Sequence, residues 1–358
     1  MVNWPIEPVR VRVPATSANL GPGFDALGLA LALHDLVIVG VTERGLSIKV
    51  TGVGEDAATY GEDHLVVRAM RAGFDAIGAR PPGLTLACEN AIPQGFGLGS
   101  SAAAIVAGLV AARALCGPAG AERLPDSLVL ALATEIEGHA DNAAACLAGG
   151  LTIAWPRQAA APGPAGVSGA PGEARPSAPG GAGFVRLEPL AALMPVLCVP
   201  STPLSTRAAR AVLPDTVPHR DAAANSARSA LLVAALAGFG QAGVGQAGVS
   251  QAGVSQAGVG QAGAGRAPDR QTLLDATEDF LHQRYRAAAM PATVALVAAL
   301  RAAGIPAVIS GAGPAVLALT VPGVTAGPAE VAAIAASQGA DWQARALTVD
   351  RDGATVLG

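Results

Sequence analysis

Along the first ninety residues the spacing of apolar positions changes from two to nearly four and back. In "VRVRVPATS" apolar and polar residues alternate one by one, which predicts a strand with one buried face. "LHDLVIVGVTERGLSIKVTGVG" predicts two more strands across a polar turn. The period then lengthens: "DHLVVRAMRAGFDAIGA" places Leu65, Ala69, Ala72 and Ala76 near one face of a helix. "GLTLACENAIP" returns to strand, and a glycine loop leads into the apolar helix "SSAAAIVAGLVAARAL". "DSLVLALATEIEGHADNAAACLAGG" predicts a helix, a break near Gly138, a shorter helix and a glycine stop, followed by the strand "LTIAW".

Two stretches carry neither period. From Arg157 to Gly183 the chain is nearly all Ala, Gly, Pro and Ser. That composition buries too little apolar surface to offset ordering entropy, so a disordered insertion is expected over 157–183. It divides the chain into an N-terminal domain, 1–156, and a C-terminal domain, 184–358. The second stretch repeats "QAGVx" every five residues from Gln241 to Gly265. Five matches neither helix nor strand, and a low-complexity surface insertion is expected over 240–266. Helices follow. "PAVISGAGPAVLALTV" then predicts strand, glycine turn and strand, and a last helix and strand close the chain. The whole reads as α+β.

Composition narrows the function. Of 358 residues, 51% are hydrophobic and 14% charged, with a formal net charge of -4. That supports a sizeable core, and without a basic block it gives nucleic acid little to bind. The longest apolar run, Ala102 to Ala112, falls short of the ~20 residues that span a bilayer. "MVNWPIEPVR" lacks a signal-peptide core. Cys88, Cys116, Cys146 and Cys198 are widely spaced and read as buried thiols in a reducing compartment, not as a zinc site. A cytoplasmic protein with no nucleic-acid or membrane partner is expected.

Four stretches could carry chemistry. In "PQGFGLGSSAAA", glycines that permit close backbone approach run into a helix start with two serines, Ser100 and Ser101, suited to an N-cap. Helix N-termini favour anions. The spacing is neither a dinucleotide fingerprint nor a lysine-bearing phosphate loop, and a plain turn before a buried helix remains open. "VPATSANLGPGFDALGLAL" sets Asn19 and Asp25 around a rigid Gly-Pro-Gly turn, either to orient a polar ligand or to cap the turn. "EIEGHADNAAA" crowds Glu135, Glu137, His139, Asp141 and Asn142, and Glu135 and His139 share a face if the helix continues. "ISGAGPAVLAL" is a tight glycine turn or a simple hairpin.

Together these stretches resemble the motifs of the GHMP small-molecule kinases, most nearly the homoserine-phosphorylating branch. The P-x-x-x-G-L-G-S-S-A motif is met by Pro93, Gly97, Leu98, Gly99, Ser100, Ser101 and Ala102. "PATSANLGPGFDALGLAL", "EGHADNAAA" and "SGAGPAVLAL" are similar to further motifs, and "STRAARAVLP" and "HQRYR" to two shorter segments. The resemblance implies an N-terminal domain like the second domain of ribosomal protein S5 and a ferredoxin-like C-terminal domain. It implies ATP and L-homoserine as substrates and Mg2+ as cofactor, and it leaves a homodimer open. The triphosphate would lie along Pro93, Gln94, Gly95, Phe96, Gly97, Leu98, Gly99, Ser100, Ser101, Ala102 and Ala103. Ser101 and Glu135 would hold the metal. Asn19, Asn142 and Asp141 would be the catalytic residues, with the two asparagines meeting the acceptor hydroxyl. Asp25 and His139 would face the amino group, and Arg210 and Arg286 the carboxylate, near Thr206. No dedicated base is expected, and the chain's single lysine, Lys49, lies far from these motifs. The alternatives are a mevalonate-type kinase of the same family and a homologue that binds ligand without catalysis.

Overall fold

In the computed structural model, residues 4–157, 181–237, 268–339 and 341–358 are described. The alternating segments form strands and the longer-period segments form helices. In chain order they are β1 (Val9–Ala18), β2 (Leu27–Thr42), β3 (Gly45–Gly52), α1 (Leu65–Ile77), β4 (Gly83–Asn90), α2 (Ser100–Leu115), α3 (Gly117–Arg123), α4 (Asp126–Glu137), α5 (Asp141–Ala148), β5 (Leu151–Pro156) and β6 (Ala182–Leu187). The second half contributes β7 (Met194–Val199), α6 (Thr206–Ala211), α7 (His219–Leu236), α8 (Arg270–Ala276), α9 (Gln283–Arg286), α10 (Pro291–Ala302), β8 (Ala307–Ile309), β9 (Val316–Thr320), α11 (Pro328–Ser337), β10 (Gln343–Ala346) and β11 (Thr355–Leu357).

Two sheets result. The larger runs β11-β1-β2-β4-β3, with β5 beside the first residues of β2 and β6 outside β5. Pairing is antiparallel except between β3 and β4. The long β2 serves two neighbours on one edge, β5 at Leu27–Leu29 and β4 at Leu36–Thr42. The smaller sheet runs β10-β7-β9-β8, antiparallel throughout. Its central strands are buried on both faces. Val196, Cys198, Val316 and Ala318 pack with α10 and α11, whereas Leu197, Leu317 and Leu319 join the main core. This two-sided burial is why these strands read as nearly unbroken apolar runs.

Four expectations need correction. Helix α1 has the expected period but a rotated face: Val66, Met70, Gly73, Phe74 and Ile77 are buried, and Ala76 is exposed. The larger side chains gain more from burial than alanine and set the orientation. Order resumes earlier than residue 184, because β6 starts at Ala182 and pairs there with Pro156. Nor does the expected domain division match the sheets, since β6 and the C-terminal β11 both belong to the larger one. The long helical stretch after Pro268 is three pieces, α8, α9 and α10. Residues 158–180 and the QAGVx repeat lie outside the described residues.

Candidate active site

The glycine loop ends at Gly99, which is the residue that precedes α2 and has φ 67°. Ser100 and Ser101 are therefore the first residues of the helix and not its cap. Gly99 has no side chain to cap the helix, so the first-turn N–H groups are left available to an anion. Close packing requires glycine at two places. A Cβ at Gly99 would overlap the Thr16 hydroxyl, and one at Gly97 would overlap the Ser310 carbonyl.

The loop sits where the two sheets meet. The Ser310–Ala315 turn between β8 and β9 docks on it: Ser310 Oγ donates to the Gly97 carbonyl at 2.8 Å, and the Ala315 N–H donates to Phe96 O at 3.2 Å. The same turn reaches β1, with the Gly311 N–H on Ala18 O at 3.1 Å. Asn19, in a left-handed conformation at φ 67°, donates its amide to Gly311 O at 2.8 Å and accepts the Asp25 N–H at 2.9 Å. Left-handed backbone at Asn19, Leu20 and Asp25, all non-glycine, marks a turn held in place by its surroundings.

These contacts enclose a cavity of about 220 Å³ lined by Asn19, Gly95, Gly97, Leu98, Gly99, Ser100, Ser101, His139, Asp141, Asn142, Thr206, Arg210 and Arg286, together with Glu137, Gly311 and Ala312. Asp25 stands beside it, paired in two-pronged fashion with Arg210 at 2.6 and 3.1 Å. Arg286 is buried; its Nε donates to Ala209 O, and one terminal nitrogen donates to Gly311 O and His282 Nδ1. Burial, reinforced by Arg210, lowers its pKa to about 10. The Thr16 hydroxyl donates to Asn142 Oδ1 at 2.8 Å.

One expected metal ligand is displaced. Helix α4 ends at Glu137, and Gly138 turns left-handed at φ 92°, so Glu135 and His139 do not share a helical face. Glu135 is exposed and away from the cavity, whereas Glu137 lines it and accepts from Ser101 Oγ at 2.5 Å. Burial raises the Glu137 carboxyl pKa, against the pull of Ser101 and His139. For His139 burial acts downward, but Asp141, 3.1 Å away, and Glu137 outweigh it and hold the imidazole pKa above the ordinary value. A carboxylate and a hydroxyl in contact at the head of α2 are hard oxygen donors of the kind magnesium takes.

Behind the loop lies a second cavity of about 230 Å³. Its walls include Asp35, Tyr60, His64, Asn90 and Gln94, and it shares Ser100 and Ser101 with the first. Asp35 Oδ1 accepts the N–H groups of Ala91 and Ile92. Apart from Gln94 and the serines, these wall residues belong to no motif and were not singled out in the sequence. Of the expected loop residues, Ala102 and Ala103 are buried in the core and Phe96 packs against it, so they support the cradle from behind.

Comparison with known proteins places this geometry. The model of the GHMP kinases N-terminal domain matches residues 64–150, and that of the GHMP kinases C-terminal domain matches 265–337. A homoserine kinase of Streptomyces coelicolor is 48% identical over 349 residues, covering 98% of this chain and 94% of that protein. One from Streptomyces avermitilis is 47% identical, covering 98% and 95%. Among solved structures, the homoserine kinase of Cytophaga hutchinsonii superposes with a TM-score of 0.69 at 23% identity, covering 98% of each chain. A mevalonate kinase does so at 0.59 and 11% identity, covering 96% of this chain and 99% of that one, a likeness of fold alone.

Proposed function

The chain belongs to the homoserine kinases of the GHMP family, and from that premise we propose that it moves the γ-phosphoryl group of ATP to the side-chain hydroxyl of L-homoserine, giving O-phospho-L-homoserine for threonine synthesis. The observation that carries the acceptor assignment is the Asp25–Arg210 pair beside Arg286 at the edge of the first cavity. A carboxylate with two guanidinium groups matches an amino-acid zwitterion: the ammonium exchanges onto Asp25, assisted by His139, and the carboxylate onto the arginines near Thr206. Mevalonate has no ammonium group to take the place of Arg210 on Asp25.

The two cavities share Ser100 and Ser101, which suggests the path of the nucleotide. The nucleoside occupies the second cavity, the triphosphate follows the loop from Pro93 to Ala103, and the γ-phosphate meets the acceptor in the first. Phosphoryl transfer depends mainly on positioning and charge neutralisation. Asn19 and Asn142 orient the hydroxyl; each amide is anchored by a neighbour, which fixes its direction. The hydroxyl oxygen forms its bond to phosphorus as the bond to the ADP oxygen breaks, and the hydroxyl proton leaves late, to the transferred phosphoryl group or solvent. Asp141 is already engaged, accepting the Asn142 N–H at 2.8 Å and lying against His139, so it positions the site without acting as base. Ser101 and Glu137 would hold Mg2+, with Glu137 in the place expected of Glu135. A metal held there would supply charge neutralisation to the phosphates.

Among the described residues no helix is long and apolar enough to cross a membrane, and Cys88, Cys116, Cys146 and Cys198 are free and buried, in keeping with a cytoplasmic enzyme. Its partners are small molecules, without nucleic acid or membrane. Phosphorus NMR of a reaction with MgATP and L-homoserine tests the assignment: one phosphomonoester should appear per ADP. The amino alcohol lacking the carboxylate should show KM at least about tenfold higher. An unchanged KM would remove the arginines from acceptor binding.

A further inference from the structure

His282 opens the HQRYR segment but was expected to have no role of its own, yet its fully buried ring contacts three of the site's supports. Its Nδ1 is 2.9 Å from Arg286 Nη1, and its Nε2 is 2.8 Å from the carbonyl of Gly21, in the Gly-Pro-Gly turn. Guanidinium nitrogens only donate, so Nδ1 must be the acceptor and Nε2 the N–H that donates to Gly21. The contacts admit a single neutral tautomer. Phe24 stacks on the imidazole at 5.1 Å and 28°. The guanidinium carbons of Arg210 and Arg286 lie 5.6 and 5.8 Å from the same Phe24 ring. One imidazole therefore fixes the turn bearing Asp25, the ring beneath both arginines, and the direction of Arg286.

We propose that His282 is the positioning residue of the acceptor carboxylate clamp: as a neutral Nε2–H tautomer it fixes Arg286 and, through Gly21 and Phe24, the Arg210–Asp25 pair. Its surroundings suit that role. Asp279 Oδ1 is 3.6 Å from Nε2, but the Asp279 oxygens already take the backbone N–H groups of Leu281, His282 and Gln283. The other charged groups facing it are Arg286 and, beyond Phe24, Asp25 and Arg210. Burial, with Arg286 adding to it and Asp279 opposing, lowers the imidazole pKa below its ordinary value. Protonation would set an N–H on Nδ1 against the Arg286 N–H. The clamp should then loosen only below the pH range in which a free histidine titrates.

This inference rests on the L-homoserine reading, and turnover of the unaltered enzyme with L-homoserine checks that reading separately. Given turnover, steady-state kinetics of three variants test His282. His282→Phe keeps a ring but loses both hydrogen bonds, and should raise KM for L-homoserine about tenfold or more, with kcat and KM for ATP within about threefold. His282→Asn retains an acceptor near Nδ1 and should recover most of that loss; His282→Gln retains a donor near Nε2 and should recover less. Equal KM values for all three variants and the unaltered enzyme, or a parallel rise in KM for ATP, would overturn the proposal. If His282→Phe does not fold, the pH profile decides. The acid rise in KM for L-homoserine should be present in the unaltered enzyme and absent from His282→Asn, while any effect of His139, which titrates at higher pH, persists in both. An identical acid limb in the two would equally overturn it.

Discussion

Glu135 and Glu137 show how far residue type alone carries an assignment. Both are carboxylates near the end of one helix, and both precede the His139–Asn142 cluster. A separation of two residues puts them on different sides of α4, and only Glu137 reaches Ser101. Glu137→Gln should lower kcat/KM by about a hundredfold or more, the scale of losing one aimed charge-stabilising group. Glu135→Gln should stay within about twofold. Steady-state assays at saturating magnesium compare them, and equal losses would mean that the Ser101–Glu137 contact has no catalytic part. Asp141→Asn should cost less than Glu137→Gln, since Asp141 is assigned no proton transfer. The polar cluster was legible in the sequence, but which glutamate faces the cavity was not, because that depends on where α4 ends. His282 was less legible still: it opens the segment HQRYR that also holds Arg286, but nothing local announces the Gly21 turn that it joins.

At the scale of elements, the junction of the glycine loop with α2 was legible because its chemistry is local. Glycine at Gly97 and Gly99 and an uncapped helix start are properties of adjacent residues. The turn that closes the loop from the other side, Ser310–Ala315, was visible only as a turn; its docking partners lie more than 200 positions away. Gly99→Ala should cost about 1–2 kcal/mol in backbone strain alone, with more from the overlap with Thr16. It should raise KM for ATP more than KM for L-homoserine. Kinetics with each substrate varied in turn check this, and a selective rise in KM for L-homoserine would contradict the assignment of the loop to phosphate. The face of α1 was misjudged for a simpler reason. Alanine satisfies the helical period without much to gain from burial, so Val66, Met70 and Phe74 decide the orientation.

Across the whole molecule, the larger sheet is completed by the end of the chain, a pairing that no local pattern announces. Asp350 holds that return path. It accepts from His34 Nε2 at 2.7 Å and from the Gly353 N–H at 2.7 Å, and its own N–H and carbonyl join Ala30 and Gly150. Burial acts upward on its carboxyl pKa, but His34 and the backbone donors outweigh it and hold the value below the ordinary range. A carboxylate with a depressed folded pKa contributes stability above its unfolded value, near ~3.9, and that contribution is lost as pH falls through the folded value. Asp350→Asn should therefore cost about 1–3 kcal/mol at neutral pH, and the Tm difference should narrow below about pH 4. A difference independent of pH would show that the carboxylate charge contributes nothing.

Two cavities joined by Ser100 and Ser101 are proposed to pass a phosphoryl group from ATP to an amino-acid hydroxyl. An ADP-release assay at fixed MgATP with L-homoserine, mevalonate and galactose as acceptors tests it most directly. Turnover with L-homoserine is expected, with kcat/KM at least about a hundredfold lower for the other two, which lack the zwitterion that Asp25, Arg210 and Arg286 match. No turnover with L-homoserine, or comparable turnover with mevalonate, would contradict it.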